Sequence, residues 1–167
     1  LVLRADGTAE GYGNNAWFAS EPPPLPPGRV YTKVVAGTYL SAVLRSDGEL
    51  IVWGNNNWGQ ANVPPLPSNV TYTDVDLGEN HAVALRSDGR VVAFGHNGWG
   101  QCNIPNLPFG VKYIGINVSG DNTTLLRSDG FAVYFGNSGS GFVSSSEPSA
   151  LLVNPDDSSR AADSCGC

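Results

Sequence analysis

Five residues of the form Leu-Arg-Ser/Ala-Asp-Gly occur four times in this chain of 167 residues, at 3–7, 44–48, 85–89 and 126–130, each copy 41 residues after the last. Self-similarity at a fixed period of roughly 40 to 50 residues marks a chain made of stacked supersecondary units, each burying its apolar face only against its neighbours. Asp-Gly between apolar runs is also the strongest short-range hairpin signal, because Gly accepts the positive φ that the turn demands. The period therefore predicts one small antiparallel sheet per repeat.

The stretch 72–108 shows how a unit is written. Residues 72–77 (Tyr-Thr-Asp-Val-Asp-Leu) alternate polar and apolar side chains and end at Gly78, as a half-buried strand does. Residues 81–85 form a second apolar run into the Asp88-Gly89 turn, and 90–94 a third that stops at Gly95. The remainder carries Trp99-Gly100-Gln101 and then Ile104-Pro105-Asn106-Leu107-Pro108, whose prolines cannot donate to a ladder, so it reads as a loop and linker. The expected fold is all-β: about four propeller-type blades of three to four antiparallel strands, forming an open arc or a small or incomplete propeller. Their bounds fall near 1–27, 28–68, 69–109 and 110–153, followed by a polar tail over 154–167 that a partner is expected to hold.

Composition agrees with this class. The chain has 21 Gly, 12 Pro and only 14% charged residues, and Gly and Pro weaken helix interiors. A net charge of −6, with nine Lys and Arg in all, excludes a phosphate-backbone binder, so nucleic acid is not an expected partner. No apolar run approaches the length of about 18 residues that a membrane span needs; peripheral association with a membrane complex stays open. The chain begins at Leu1, without Met and inside a repeat, which predicts a processed or partial product whose targeting information lies elsewhere. Three cysteines give no disulfide framework. Cys102 falls where the other copies have Ser20, Ala61 and Val143, a passive position. Cys165 and Cys167 are two sulfurs, an incomplete metal site. No metal or cofactor is expected.

Several columns repeat with the turn. Tyr31, Tyr72 and Tyr113 align, as do Tyr12, Trp53, Phe94 and Phe135. Trp17, Trp58 and Trp99 form a further column, read first as packing between blades and second as a stripe of partner-binding anchors. Arg45, Arg86 and Arg127, with Arg4, stand two residues before an Asp. They could offer a row of guanidiniums to a partner; the simpler reading is local neutralisation by Asp47, Asp88 and Asp129. His81 and His96 are the only histidines and form no repeated site, and no nucleophile elbow, metalloprotease helix or phosphate loop is present, so no enzymatic activity is expected. The prolines at 22–27 align with the linkers at 64–67 and 105–108 and are read as a linker rather than a polyproline ligand. Three Asn-x-Ser/Thr sequons start at Asn69, Asn117 and Asn122; they are glycan acceptors only in a secretory setting, and chance in an Asn- and Thr-rich β protein accounts for them.

Residues 83–97 and Gly100-Gln101, and again 44–60, closely resemble the repeat of the regulator-of-chromosome-condensation family. The resemblance covers about residues 1–153 and implies a propeller. The short period is similar to that of propeller-type β-lactamase inhibitory proteins, whose blades are mostly three-stranded. Both groups are usually seven-bladed, which four copies do not reach. Similar compact repeats occur in proteins of unicellular algae.

A fold of this kind hosts many functions. The expected one is a non-catalytic protein-protein interaction or scaffold module, an accessory or stabilising subunit of a larger assembly, with an algal source and a membrane-bound assembly both left open. The alternatives are a secreted enzyme inhibitor of the β-lactamase-inhibitory type, with Trp58 and Trp99 as anchors, and a regulator of a small GTPase.

Overall fold

The computed structural model of the chain describes residues 1–13 and 15–144. The expected tail at 154–167, with Cys165 and Cys167, lies outside the described residues. Each repeat forms one antiparallel sheet, and none closes into a barrel. The first pairs β1 (Val2–Leu3) with β2 (Ala9–Glu10). The second runs β3 (Tyr31–Ala36), β4 (Leu40–Arg45), β5 (Leu50–Gly54), and the third β6 (Tyr72–Leu77), β7 (His81–Arg86), β8 (Val91–Gly95). The fourth comprises β9 (Tyr113–Ser119), β10 (Asn122–Arg127), β11 (Phe131–Gly136) and an added outer strand, β12 (Gly141–Ser144). The expected strands at 72–77, 81–85 and 90–94 match β6, β7 and β8 to within one residue.

The core lies between consecutive sheets. Leu40, Leu44 and Val52 of the second sheet pack with Tyr72, Val75 and Phe94 of the third. Val83 and Val91 of the third pack with Tyr113, Ile116, Leu125 and Phe135 of the fourth. Each sheet thus completes its neighbour, as a repeat that cannot bury its own face must. The middle strands β4 and β7 are covered on both sides and therefore read as nearly continuous apolar runs.

The Asp-Gly turns close each hairpin and also join the repeats. In the second repeat Gly48 N donates to Arg45 O at 2.9 Å, while Gly48 O accepts from Tyr72 N of the next sheet at 3.1 Å. Gly48 has φ +79, and a Cβ there would lie 2.4 Å from the Cβ of Thr71. Glycine is needed twice over, for the backbone and for the approach. Gly7 O and Gly89 O accept from Tyr31 N and Tyr113 N in the same way, both at 2.8 Å. The tyrosine column then ties down the linkers: Tyr31, Tyr72 and Tyr113 donate their hydroxyls to the carbonyls of Pro23, Pro64 and Pro105 at 2.5, 2.6 and 2.8 Å. The proline stretches act as linkers held by the blade that follows them.

This wiring gives the arc two chemically different rims. One carries the Asp-Gly turns and the linker tips. The other carries the ends of β5 and β8, the short turns between each first and second strand, and the loops bearing Trp58 and Trp99. Among the described residues no helix is long and apolar enough to cross a membrane.

Candidate interaction rim

The tryptophan column is not interblade packing. Trp17, Trp58 and Trp99 are 52%, 58% and 57% exposed, which corrects the first reading. Trp58 and Trp99 lie beyond Gly54 and Gly95, the glycines that end β5 and β8, where the chain has left the ladder, and Trp17 lies in the loop that follows β2. The columns that pack are Tyr31, Tyr72 and Tyr113, together with Phe94 and Phe135.

The loops bearing Trp58 and Trp99 are held by side chains at fixed offsets. Asn56 Nδ2 donates to Asn62 Oδ1 at 3.0 Å while its Oδ1 accepts from Ala61 N at 2.9 Å. Asn97 makes the same pair of bonds, to Asn103 at 2.9 Å and from Cys102 N at 2.9 Å. In the first copy Asn15 bonds Glu21 and Ser20 N instead. Gln60 and Gln101, fully buried, turn back to accept from Trp58 N and Trp99 N at 2.7 and 3.0 Å. The loop is thereby cross-braced from within, with the indole left outside. The Asn pair recurs six residues apart in both loops, a spacing visible in the sequence once a bracing role is considered.

Two further aromatics on this rim escaped the sequence reading. Phe18 is exposed beside Trp17, and its carbonyl accepts from Trp53 Nε1 at 3.2 Å, docking the first loop onto β5. Tyr39 is exposed in the turn between β3 and β4, where its carbonyl accepts from Asn55 N at 2.8 Å. The loops also touch one another: the rings of Trp58 and His96 meet edge to face at 4.7 Å between centroids. Gln101 Nε2 donates to His96 Nδ1 at 2.9 Å, which leaves the proton on Nε2. An open groove of about 470 Å³ runs between Trp99, Asn103 and Pro105 and the β11 residues Tyr134 and Phe135.

The segments that make this rim, residues 11–13, 15–21, 37–40, 54–62, 78–81, 95–103, 120–122 and 136–140, contain no Lys or Arg. Their charges are Glu21, Glu79 and Asp121. The cations gather at the other end. Arg45, Arg86 and Arg127 each make a two-pronged bond to the Asp two residues on: Nε to Oδ1 at 3.1 Å in all three, and Nη2 to Oδ2 at 2.6, 2.5 and 2.5 Å. The Arg45 bond holds Asp47 at about 2, well below the usual carboxylate range. Asp47 Oδ1 also accepts from Glu49 N, so the pair braces the turn. Arg4 departs from the pattern, pairing with Glu10 at 2.6 Å while Asp6 bonds Thr8.

The two histidines and Cys102 form no common site. His81 is fully buried, and burial pushes it down to about 4. Burial also pushes the Cys102 thiol up to about 11, which suits the passive role expected. Among the described residues no group of three or more His, Cys, Asp or Glu could hold a metal ion.

Comparison with known proteins meets this architecture. The family model for the regulator of chromosome condensation (RCC1) repeat matches residues 31–60 and 72–101, the second and third sheets with their tryptophan loops. No curated protein matches the chain. Among solved structures, Prp20p from Saccharomyces cerevisiae is 22% identical, with a TM-score of 0.56 over 68% of this chain and 32% of its own. Human WBSCR16 is 21% identical, with a TM-score of 0.55 over 66% and 34%. The CRINKLY ectodomain of the Arabidopsis thaliana receptor kinase ACR4 is 20% identical, with a TM-score of 0.60 over 81% and 48%. The chain spans about a third to a half of the length of these neighbours. The likeness to β-lactamase inhibitory proteins finds no support among these matches. The chain thus carries RCC1 repeats at residues 31–60 and 72–101, on an all-β fold that fits an open or incomplete propeller.

Proposed function

We propose that this chain is a protein-interaction module that engages its partner through the tryptophan rim, as an accessory subunit of a larger assembly. The observation that carries this reading is the row of exposed indoles, Trp17, Trp58 and Trp99, set at matching points of successive blades and extended by Phe18 and Tyr39. Large aromatics are the usual anchors of protein interfaces. Loops braced by Asn56, Gln60, Asn97 and Gln101 lose little freedom on docking, which favours affinity. The partner chemistry that suits the rim is apolar and basic, because indole faces and the carboxylates of Glu21, Glu79 and Asp121 both attract cations. Equivalent points on successive blades suit a partner that lies along several repeats at once. Arg45, Arg86 and Arg127, each engaged by its own Asp, serve the turns in this reading. For comparison, the structural neighbour Prp20p binds Gsp1p and histones.

A photo-crosslinking residue placed at Tyr39, with a control at Phe109 on the opposite rim, tests the assignment in cells that make the chain. The expected result is a discrete adduct from position 39 that disappears when Trp58 and Trp99 are both changed to Ser. Adducts formed equally from position 109, or undiminished in the double variant, would overturn it.

A further inference from the structure

The structure separates the three sequons by their surroundings. Asn122 lies in β10, the strand paired on both sides by β9 and β11, and its Oδ1 accepts from Ser138 N at 2.7 Å. Asn117 is half-buried in the middle of β9, opposite Thr124, and Val118 beside it donates to Asp76 of the neighbouring sheet. Asn69 differs from both. It is exposed in the turn between linker and β6, outside any ladder, with Val70 N closing that turn onto Pro67 O at 3.2 Å.

Two departures from the repeat coincide there. Asn69 has φ +67, and the residues 41 before and after it are Gly28 at φ +73 and Gly110 at φ +80. The turn therefore works with glycine, the residue that adopts this conformation without strain, and does not require a carboxamide. Two residues on, Thr71 occupies the column of Val30 and Lys112. All three abut the turn glycine of the preceding repeat, so nothing in the packing requires a hydroxyl. The fold asks for neither residue, yet together they write Asn-x-Thr on an exposed turn.

We propose that Asn69 is an N-glycan acceptor. In the reaction, Asn69 Nδ2 bonds to the anomeric carbon of an oligosaccharide carried on a lipid pyrophosphate. The bond from that carbon to the pyrophosphate breaks, its electron pair leaves with the lipid pyrophosphate, and the amide proton passes to a base of the transferase. The linker tip lies on the rim of the Asp-Gly turns, so a glycan there leaves Trp58 and Trp99 uncovered, in keeping with the interaction surface proposed above.

The test is secretion of the full chain, behind a cleavable signal peptide, from eukaryotic cells, followed by glycosidase digestion and site-resolved mass spectrometry. The expected result is one glycan, at Asn69, in the secreted folded protein. That glycan is lost in both Asn69→Gln and Thr71→Ala and kept in Thr71→Ser. A secreted chain with Asn69 unmodified, or one whose glycan persists in Asn69→Gln, would overturn the assignment.

Discussion

Nε2 of His81, on β7, sits 2.9 Å from the hydroxyl of Thr123 on β10, the next blade's middle strand. Thr123 spends its single proton on the carbonyl of Gln101, 2.8 Å away. The hydroxyl must then accept from His81, so the imidazole carries its proton on Nε2. Nδ1 is left as a bare acceptor, buried without a protein partner. Three blade elements are joined through one neutral histidine.

This arrangement predicts an acid-labile interface. Burial lowers His81 from 6.5 to about 4, with Asp121 opposing and His96 reinforcing the shift. Above pH 6.5 both folded and unfolded chains hold the neutral ring and the stability is complete. Between pH 6.5 and about 4 the unfolded chain takes up a proton that the folded one refuses, so stability falls, by up to ~3 kcal/mol, and then levels off. Urea denaturation at pH 7.5 and 4.5 reads the slope. His81→Leu, the residue of the equivalent Leu40, should flatten it; an unchanged slope would locate the acid sensitivity elsewhere.

Gly48 and Gly110 share a positive φ, +79 and +80, but a Cβ at Gly110 meets nothing within 4 Å. Gly110→Ala should therefore show the conformational cost alone, about 1–2 kcal/mol. Gly48→Ala adds the collision with Thr71 and should cost about 2–5 kcal/mol in total. Gly110→Asn, copying Asn69, should cost less than the alanine, since Asn tolerates this region better. Denaturation midpoints of the three variants check the order.

The tyrosine clamps on the linkers should be separable and additive. Replacing Tyr72 by Phe keeps the ring in the core and deletes the bond to Pro64, a loss of about 1 kcal/mol. The same change at Tyr31 and Tyr113 acts on other blades, so the triple variant should lose about 3 kcal/mol. A triple loss no larger than the single one would show that the linkers do not contribute independently to unfolding.

How far these relationships could be read from the chain depends on what spacing encodes. Alternation and the Asp-Gly turn placed β6, β7 and β8 to within a residue, because strand period and turn φ are local properties. The burial of Phe94 and exposure of Trp99 are not local: both are aromatic and both recur every 41 residues. What separates them is Gly95, after which the backbone leaves the sheet. Gln101 was visible as part of the repeat signature, but its return to Trp99 N is a loop closure that spacing does not state. His81, aligned with Leu40 and Asn122, gave no sign of its tautomer, which depends on Thr123 and Gln101 from other segments.

The tryptophan rim carries a last expectation, that function and stability part company there. Trp99 is more than half exposed and has no aromatic partner among the described residues, so Trp99→Ser should change stability by no more than ~0.5 kcal/mol. Trp58 differs through its edge-to-face contact with His96, a pairing that contributes about 0.5–1.5 kcal/mol. Trp58→Ser should thus be mildly destabilising, and His96→Asn, restoring the Asn of the equivalent position 55, should abolish most of the difference between the two tryptophans. Urea midpoints of Trp58→Ser, Trp99→Ser and both in the His96→Asn background measure this directly. A large loss on Trp99→Ser would mean that its indole packs against the fold, and the rim would cease to be a free surface.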